Sequence, residues 1–457
     1  MKFSRTNSNS DHLGLNYQQG LPYGIRFFYR ASLEKRLLLG LGLKSLIGAI
    51  MICLVCGISS SPIIDFGPMP IANNFTDVPL NDTYRFKLSA SFCEDCSLFQ
   101  IDEQPRPDLM FHDHYPFFTG LSSSMKLHFG EMVNIHLGKS IKRPESLFVV
   151  EIGCNDGTLL DFVRMRGVRH LGIDPSSNVV AKAREKGVSA EVGFFGEELA
   201  ERVFLSNGKA DFIFAANVIC HIPTMNDFGR GIKSLLAEDG QFIFEEPYVG
   251  SMLENTSYDQ IYDEHVFIFG AISVRNVFAR VGLELVDAIP QSTHGGSMRY
   301  VLMHKGEGEI SPRAIEIIEK EESEGFNKYS TYRNFAKQCE VRRLEFKSLL
   351  EDLKSQGAVV AGYAATSKST TVLNYCDIGP NLISYISDST PEKQGQFTPG
   401  TYIPIKSPEE MRQNPPDYLI LFAWNHEIEI LRKEQELTNA GVKWIRFVPR
   451  VEILDLQ

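Results

Sequence analysis

From residue 148 onward, short apolar runs alternate with amphipathic stretches and polar turns. Phe148-Val149-Val150 leads into Glu151-Ile152-Gly153; a polar turn, Cys154 to Gly157, follows; Leu159, Leu160, Phe162 and Val163 then recur at helical spacing. A second apolar run, His170 to Ile173, closes on Asp174. The stretch VVAKAREKG reads as a helix, Ala190 to Gly193 as a short strand, and Asp211 to Ala215 and Gln241 to Tyr248 as longer ones. Strands alternating with helices predict an α/β fold with a doubly wound, Rossmann-like sheet. After a charged helical stretch over residues 311–357 the alternation returns. A strand over Ala358–Tyr363, a polar loop to Thr370, a helix from Thr371 to Cys376 and strands at Leu382–Ile386, Tyr418–Phe422 and Trp444–Val448 predict a second, smaller α/β domain.

The turn after the first strand carries the first candidate chemistry. Glycines let backbone approach a ligand at a strand's carboxyl end, and an acid closing the next strand accepts ribose hydroxyls. The spacing from Glu151 to Gly157 is E-x-G-x-x-x-G rather than G-x-G-x-x-G. It resembles class I S-adenosylmethionine (SAM) methyltransferases more than dinucleotide dehydrogenases. The cofactor candidates are therefore Glu151, Gly153, Asn155, Asp156, Gly157 and Asp174, with Asn217 at a later strand end. Phe194-Phe195 offers a surface on which a purine would stack. Asn217 and His221 stand where a sheet of this kind puts active-site groups.

Composition narrows the class without naming it. The chain has 457 residues, enough for two or three domains, with 43% hydrophobic and 23% charged residues, as in soluble globular proteins. A formal charge of −11 argues against nucleic acid as a partner, which calls for a basic face. The charge is uneven: Lys2, Arg5, Arg26, Arg30, Lys35, Arg36 and Lys44 face only Asp11 and Glu34 in the first fifty residues. Residues 37–55 approach the length and apolarity of a membrane span, but Lys44 sits near their middle. Three readings of this opening stay open: an extension ahead of a natural start at Met51, a basic targeting sequence, or an anchor. The expected location is cytoplasmic, with an organellar or membrane-anchored one as the alternative.

Of eight cysteines, four fall in two Cys-x-x-Cys pairs, Cys53/Cys56 and Cys93/Cys96. Each pair supplies two thiolates from one turn, and two turns complete a structural tetrahedral zinc site. The PIIDFGPMPIANNF stretch between them is rich in proline and turn residues, so a small module with little core of its own, folded by its metal, is expected. The polar-aromatic segment over residues 108–129 groups His112, His114 and Tyr115, read as a packed surface turn or a lid over a site.

Two further segments make the resemblance specific. Tyr262-Asp-Glu264-His265 and His294-Gly-Gly-Ser-Met-Arg299, with EIGCNDGTLL, the cysteine pairs and the tail, look like the sugar C-methyltransferase family, across residues 51 to 457. In the tail, the loop Gly362-Tyr363-Ala364-Ala365-Thr366-Ser367-Lys368 is similar to the family's GYGAxxK, with Ala364 in place of the second glycine. Lys393-Gln-Gly395 and Pro399 to Pro404 match further stretches, with Tyr402 where His is usual. The resemblance implies methylation of a carbon next to the keto group of a nucleotide-linked deoxysugar, through an enolate. It assigns His265 as the leading base, with Glu264 beside it, Tyr262 and His221 lining the reacting end, and Tyr115 as a further carry-over. His294, Arg299, Ser367, Lys368 and Lys393 fall to substrate binding. Serines and lysines at a helix N-terminus suit phosphate oxygens.

The implied organisation is an extension (1–50), a zinc-binding module (51–108), a SAM-dependent methyltransferase domain (109–305), and a helical linker with a C-terminal α/β nucleotide-sugar domain (306–457). Cofactors are SAM and structural zinc, and the assembly a monomer or homodimer. The alternatives are an O- or N-methyltransferase on another small molecule or sugar, and a non-enzymatic zinc-knuckle interaction protein.

Overall fold

Strands such as FVVEI, buried at every position, must be covered on both faces, which a parallel sheet flanked by helices provides. The computed structural model describes residues 51–79, 84–106, 109–110 and 118–456, so Tyr115 and residues 1–50 lie outside the described residues. Met51–Ile52 (β1), Ser59–Pro70 (β2), Arg85–Cys93 (β3) and Leu98–Ile101 (β4) form an antiparallel meander. The proline-rich stretch expected as turns is therefore mostly strand. Beyond the two-residue β1, β2 is an edge, where Pro68 and Pro70 leave the inner ladder intact. Met51 to Val55 also belong to this module rather than to a membrane span. Among the described residues no helix is long and apolar enough to cross a membrane.

Phe148–Ile152 (β5), Arg169–Asp174 (β6), Ala190–Val192 (β7), Ala210–Ala216 (β8) and Leu236–Pro247 (β9) pair in parallel. Phe267–Ile268 (β10) leaves this sheet and pairs antiparallel with β4 as the fifth strand of the cysteine module's sheet. Leu283–Gln291 (β11) and Ser297–His304 (β12) return, β12 antiparallel to both β9 and β11. The order β7-β6-β5-β8-β9-β12-β11 puts the switch point at the carboxyl end of β5, where the glycine turn sits. Phe195 is core, edge-on to Phe228, and only Phe194 is exposed, so the pair does not form one stacking surface.

Val360–Tyr363 (β13), Ile386–Ser387 (β14), Ile405–Lys406 (β15), Tyr418–Leu421 (β16), Lys443–Arg446 (β17) and Glu452–Ile453 (β18) form the third sheet, in the order β15-β14-β13-β16-β17-β18. β13 is parallel to both neighbours. The helix after β13 starts at Ser367, not Thr371, because Thr366 and Ser369 cap it reciprocally. The expected strand at Leu382–Ile386 shrinks to Ile386–Ser387.

The cysteine module is not a separate small body with little core. Phe92 stacks on Tyr332 of the long Tyr329–Ser355 helix at 4.1 Å, and Phe66 packs edge-on against Tyr375 at 4.8 Å. Phe346 of the same helix meets Phe447 at 5.5 Å. One continuous apolar cluster thus runs from the cysteine module through the central sheet into the C-terminal sheet.

Candidate active site and metal centre

The four paired cysteines come together. Cys53 and Cys96 Sγ lie 3.9 Å apart and Cys56 and Cys93 Sγ 3.5 Å apart, all four within 4.8 Å. A zinc tetrahedron with ordinary Zn–S bonds has sulfur edges of about 3.8 Å, so the four thiols fit the ion. Gly57, at φ +74°, turns the first knuckle, and its N–H donates to Cys53 O at 3.0 Å.

The glycine turn after β5 is built from left-handed backbone: Gly153 (φ +69°), Asn155 (+48°) and Gly157 (+72°). A Cβ on Gly153 would stand 2.1 Å from Val218, so only glycine fits. Asp174 holds the turn: Oδ2 accepts from Asn155 N–H and Oδ1 from Ser176 N–H, both at 2.9 Å. Burial pushes its carboxyl up. Asp156 fastens rather than faces the pocket, accepting from Thr158 Oγ1 (2.7 Å), Gly120 N–H (3.1 Å) and Lys186 Nζ (2.9 Å). Asn155 Oδ1 accepts from Thr119 N–H at 3.0 Å, so the end of the aromatic segment docks on the turn.

Thr119, Phe129, Glu151, Gly153, Asn155 and Ala216 line the resulting pocket. Glu151 Oε2 is buried without a hydrogen-bond partner. Burial, then Asp174 and Asp156, push the Glu151 carboxyl well up. A pocket lined by one buried carboxyl with an unpartnered oxygen, next to a strand-end acid, suits a cationic ligand carrying a ribose. SAM is both, and Glu151, Gly153 and Asp174 would hold it.

The Tyr262–His265 turn precedes β10. His265 Nδ1 is 2.7 Å from Gln260 O; a carbonyl only accepts, so Nδ1 carries the proton. Nε2 is then the lone-pair nitrogen, and it accepts the Tyr262 hydroxyl at 2.8 Å. Burial, the neighbouring His221 and Lys368 push the imidazole well below its ordinary value, so it is neutral. His221 lies parallel to it, ring centres 5.5 Å apart, and burial lowers His221 to about 4. Glu264 Oε1 accepts from Asn73 Nδ2 at 2.8 Å.

Behind these groups lie buried carboxylates absent from the candidates of the sequence reading. Glu246 Oε1 accepts three backbone N–H groups, from Val218 (3.0 Å), Ile219 (2.7 Å) and Cys220 (3.3 Å), and so fixes the turn that carries His221. Glu245 pairs with Arg299 and with His128 Nε2 at 2.6 Å. Burial raises the Glu245 carboxyl, but His128 and Arg299 outweigh it and hold it low. Arg299 is thus committed inside the sheet, 3% exposed.

Asn217 (φ +56°) and His294 (φ +55°) meet side by side, Nδ2 to Nε2 at 3.2 Å. Burial, then Lys368 and His426, lower His294 to about 4. The glycines after His294 admit C-terminal Trp424: a Cβ on Gly295 would stand 2.4 Å from its ring. Trp424 Nε1 donates to buried Asp259 at 2.7 Å, and Lys368 lies over its ring at 5.6 Å. Lys368 Nζ reaches His294 O at 3.4 Å, its pKa lowered by burial against the pull of Asp259. Ser367 Oγ donates to Asn73 Oδ1 at 2.9 Å, and Lys393 Nζ to Ala365 O at 2.8 Å.

The C-terminal loop repeats the first in outline. Ala364, at φ +74°, stands where Gly153 does, each donating its N–H to the residue before an acid: Ala364 to Ser387 O (2.8 Å), Gly153 to Ile173 O (2.7 Å). Asp388 then accepts from Ala365 N–H (2.7 Å) and Thr390 N–H (2.8 Å), as Asp174 does from Asn155 and Ser176. Asp388 follows the strand Ile386–Ser387 as Asp174 closes its own, a signal readable in the sequence.

Three family models match in chain order: "Putative zinc binding domain" over residues 53–111, "Methyltransferase domain" over 135–288 and "C-methyltransferase C-terminal domain" over 292–449. C-methyltransferase NovU of Streptomyces niveus is 32% identical over 410 residues, 89% of this chain and 97% of that protein. A ubiquinone biosynthesis O-methyltransferase of Methylobacterium nodulans is 29% identical over 112 residues, 23% of this chain and 45% of that protein. A solved SAM-dependent methyltransferase from Anabaena variabilis overlaps 39% of this chain and 86% of its own at 19% identity and a TM-score of 0.33, too low to carry weight.

The sheet order, the glycine turn and the acid pocket define a class I SAM-dependent methyltransferase with a zinc-binding module. With NovU matched at 32% identity over 89% of this chain, the chain belongs to the SAM-dependent C-methyltransferase family.

Proposed function

We propose that the protein methylates the carbon next to the keto group of a nucleotide-linked keto-deoxysugar. The observation that carries this is the Tyr262–His265 pair: a neutral imidazole whose free nitrogen accepts a phenol hydroxyl at 2.8 Å. A sugar C–H becomes a nucleophile only if a base removes the proton α to the carbonyl. His265 is buried and Tyr262 is the more exposed of the two. Tyr262 Oη therefore takes the α proton as its own hydroxyl proton passes to His265 Nε2. Gln260 O keeps Nδ1 protonated and the ring aligned. Bound SAM supplies the electrophilic methyl group. Lys368, beside His294, places positive charge where the enolate oxygen develops. Ser367 and Lys393 flank the C-terminal loop, whose Asp388 repeats the hydrogen-bond arrangement at Asp174, and that repetition supports giving them the nucleotide end.

The test is to incubate the protein with methyl-labelled SAM and a panel of keto nucleotide sugars, locating the label by NMR. A new carbon–carbon bond next to the carbonyl is expected. Label on oxygen or nitrogen would replace this reading with the O- or N-methyltransferase one.

A further inference from the structure

The cysteine module reaches the Tyr262–His265 turn through two consecutive residues, Ala72 and Asn73. Asn73 Nδ2 donates to Glu264 Oε1 at 2.8 Å, and Asn73 Oδ1 accepts the Ser367 hydroxyl at 2.9 Å. Beside it, Ala72 N–H donates to Asp263 Oδ2 at 3.1 Å, and Thr370 Oγ1 donates to Ala72 O at 2.9 Å. Four hydrogen bonds thus join segments 191 residues apart on one side and 294 to 298 on the other. A carboxylate only accepts, so the Asn73 amide N–H faces Glu264 and its oxygen is left to take the Ser367 hydroxyl.

We propose that Asn73 is a positioning residue of the methyl-transfer site, holding the Glu264 carboxylate in place and coupling it to the Ser367 loop at the nucleotide end. The role of that loop rests on the proposed function; the hydrogen-bond chain does not. Glu264 is 5% exposed, and burial and neighbouring Asp263 both push its carboxyl up. Cys220 faces it from the turn after β8. Among the described residues no cation acts on it, and the Asn73 amide is what favours its charged form. A phosphate oxygen that takes the Ser367 hydroxyl withdraws it from Asn73. Filling the nucleotide end therefore changes the restraint on the carboxylate at the other end of the chain.

Asn73→Asp is isosteric: it keeps an acceptor for Ser367 and removes the donor to Glu264. We expect kcat to fall by about tenfold or more, with zinc content and SAM affinity unchanged. The acid limb of the kcat profile should move to higher pH, because Glu264 keeps its proton longer. Ser367→Ala should raise KM and, by loosening Asn73, also lower kcat severalfold, while the double variant should lose no more kcat than Asn73→Asp alone. Wild-type kcat and pH profile in Asn73→Asp, or losses that simply multiply, would overturn the proposal. Asn73→Ser, small and uncharged, makes the same test if the aspartate variant folds poorly.

A readout without substrate separates the two ideas. In protein labelled at glutamate carboxyls, the protonated-carboxyl infrared band absent from Glu264→Gln should persist to higher pH in Asn73→Asp. An unchanged titration contradicts the role of Asn73 whatever the substrate. A shifted titration with no turnover of any keto sugar contradicts only the substrate reading.

Discussion

Glu151 and Asp174 flank the glycine turn after β5, one with an oxygen left without a partner and the other with backbone-held oxygens at a strand end, and both are proposed to hold SAM. Glu151→Gln and Asp174→Asn, both isosteric, should each weaken SAM binding by about tenfold or more, since a hydrogen bond to a charged group contributes roughly 1.5–3 kcal/mol. Unchanged affinity by calorimetry would remove that carboxyl from the site. His136 carries a different prediction. Burial, then Arg299, lower its pKa from 6.5 to about 4. Above pH 6.5 both folded and unfolded chains hold it neutral. Between 6.5 and about 4 only the unfolded chain takes up the proton, so stability falls, by on the order of 3 kcal/mol across the window. Denaturant titrations of His136→Leu should show a shallower acid loss; an identical pH dependence would exclude the contribution. At this scale the sequence exposed what is local. Gly153, Gly157 and Asp174 stand at fixed spacings around one strand pair. Asn73 sits in a turn-rich stretch with nothing to mark it, because its partners are two distant segments. Arg299 looked free to bind substrate, since a buried pairing with Glu245 across neighbouring strands leaves no trace in a linear pattern.

Among the elements, the turn after β5 is the least tolerant. Gly153→Ala combines a left-handed backbone, which costs an L-residue about 1–2 kcal/mol, with a contact 2.1 Å from Val218. SAM binding should fall by at least about tenfold and melting should come earlier; Val218→Ala in the same chain should recover part of the loss and not all of it. Full SAM affinity in Gly153→Ala would contradict the close approach. The central sheet was legible because its strands are long and apolar. The proline-bearing β2 was not, since proline reads as turn wherever the sequence does not reveal that the strand is an edge. The helix at Ser367 likewise begins four residues early, because its capping pair, Thr366 and Ser369, reads as loop polarity.

Across the described residues, one apolar cluster and the Ala72–Asn73 bridge make the metal centre a support for the Tyr262–His265 turn as well as for its own strands. Removing zinc with a chelator should therefore lower the melting temperature of the entire fold and abolish methyl transfer, both returning with stoichiometric zinc. Full activity in metal-depleted protein would confine the metal to its own module. The three-part order was readable because each part carries its own motif. The sharing of β10 and of the core was not, because it depends on which surfaces meet.

Proton removal from carbon is the central claim, and solvent exchange reads it directly. Wild-type protein given a keto nucleotide sugar in deuterium oxide, with SAM left out, should wash deuterium into the position next to the carbonyl. His265→Ala should bind SAM normally and fail to exchange or methylate. Methyl transfer to a substrate whose α proton never exchanges, or near-normal turnover in His265→Ala, would contradict the account.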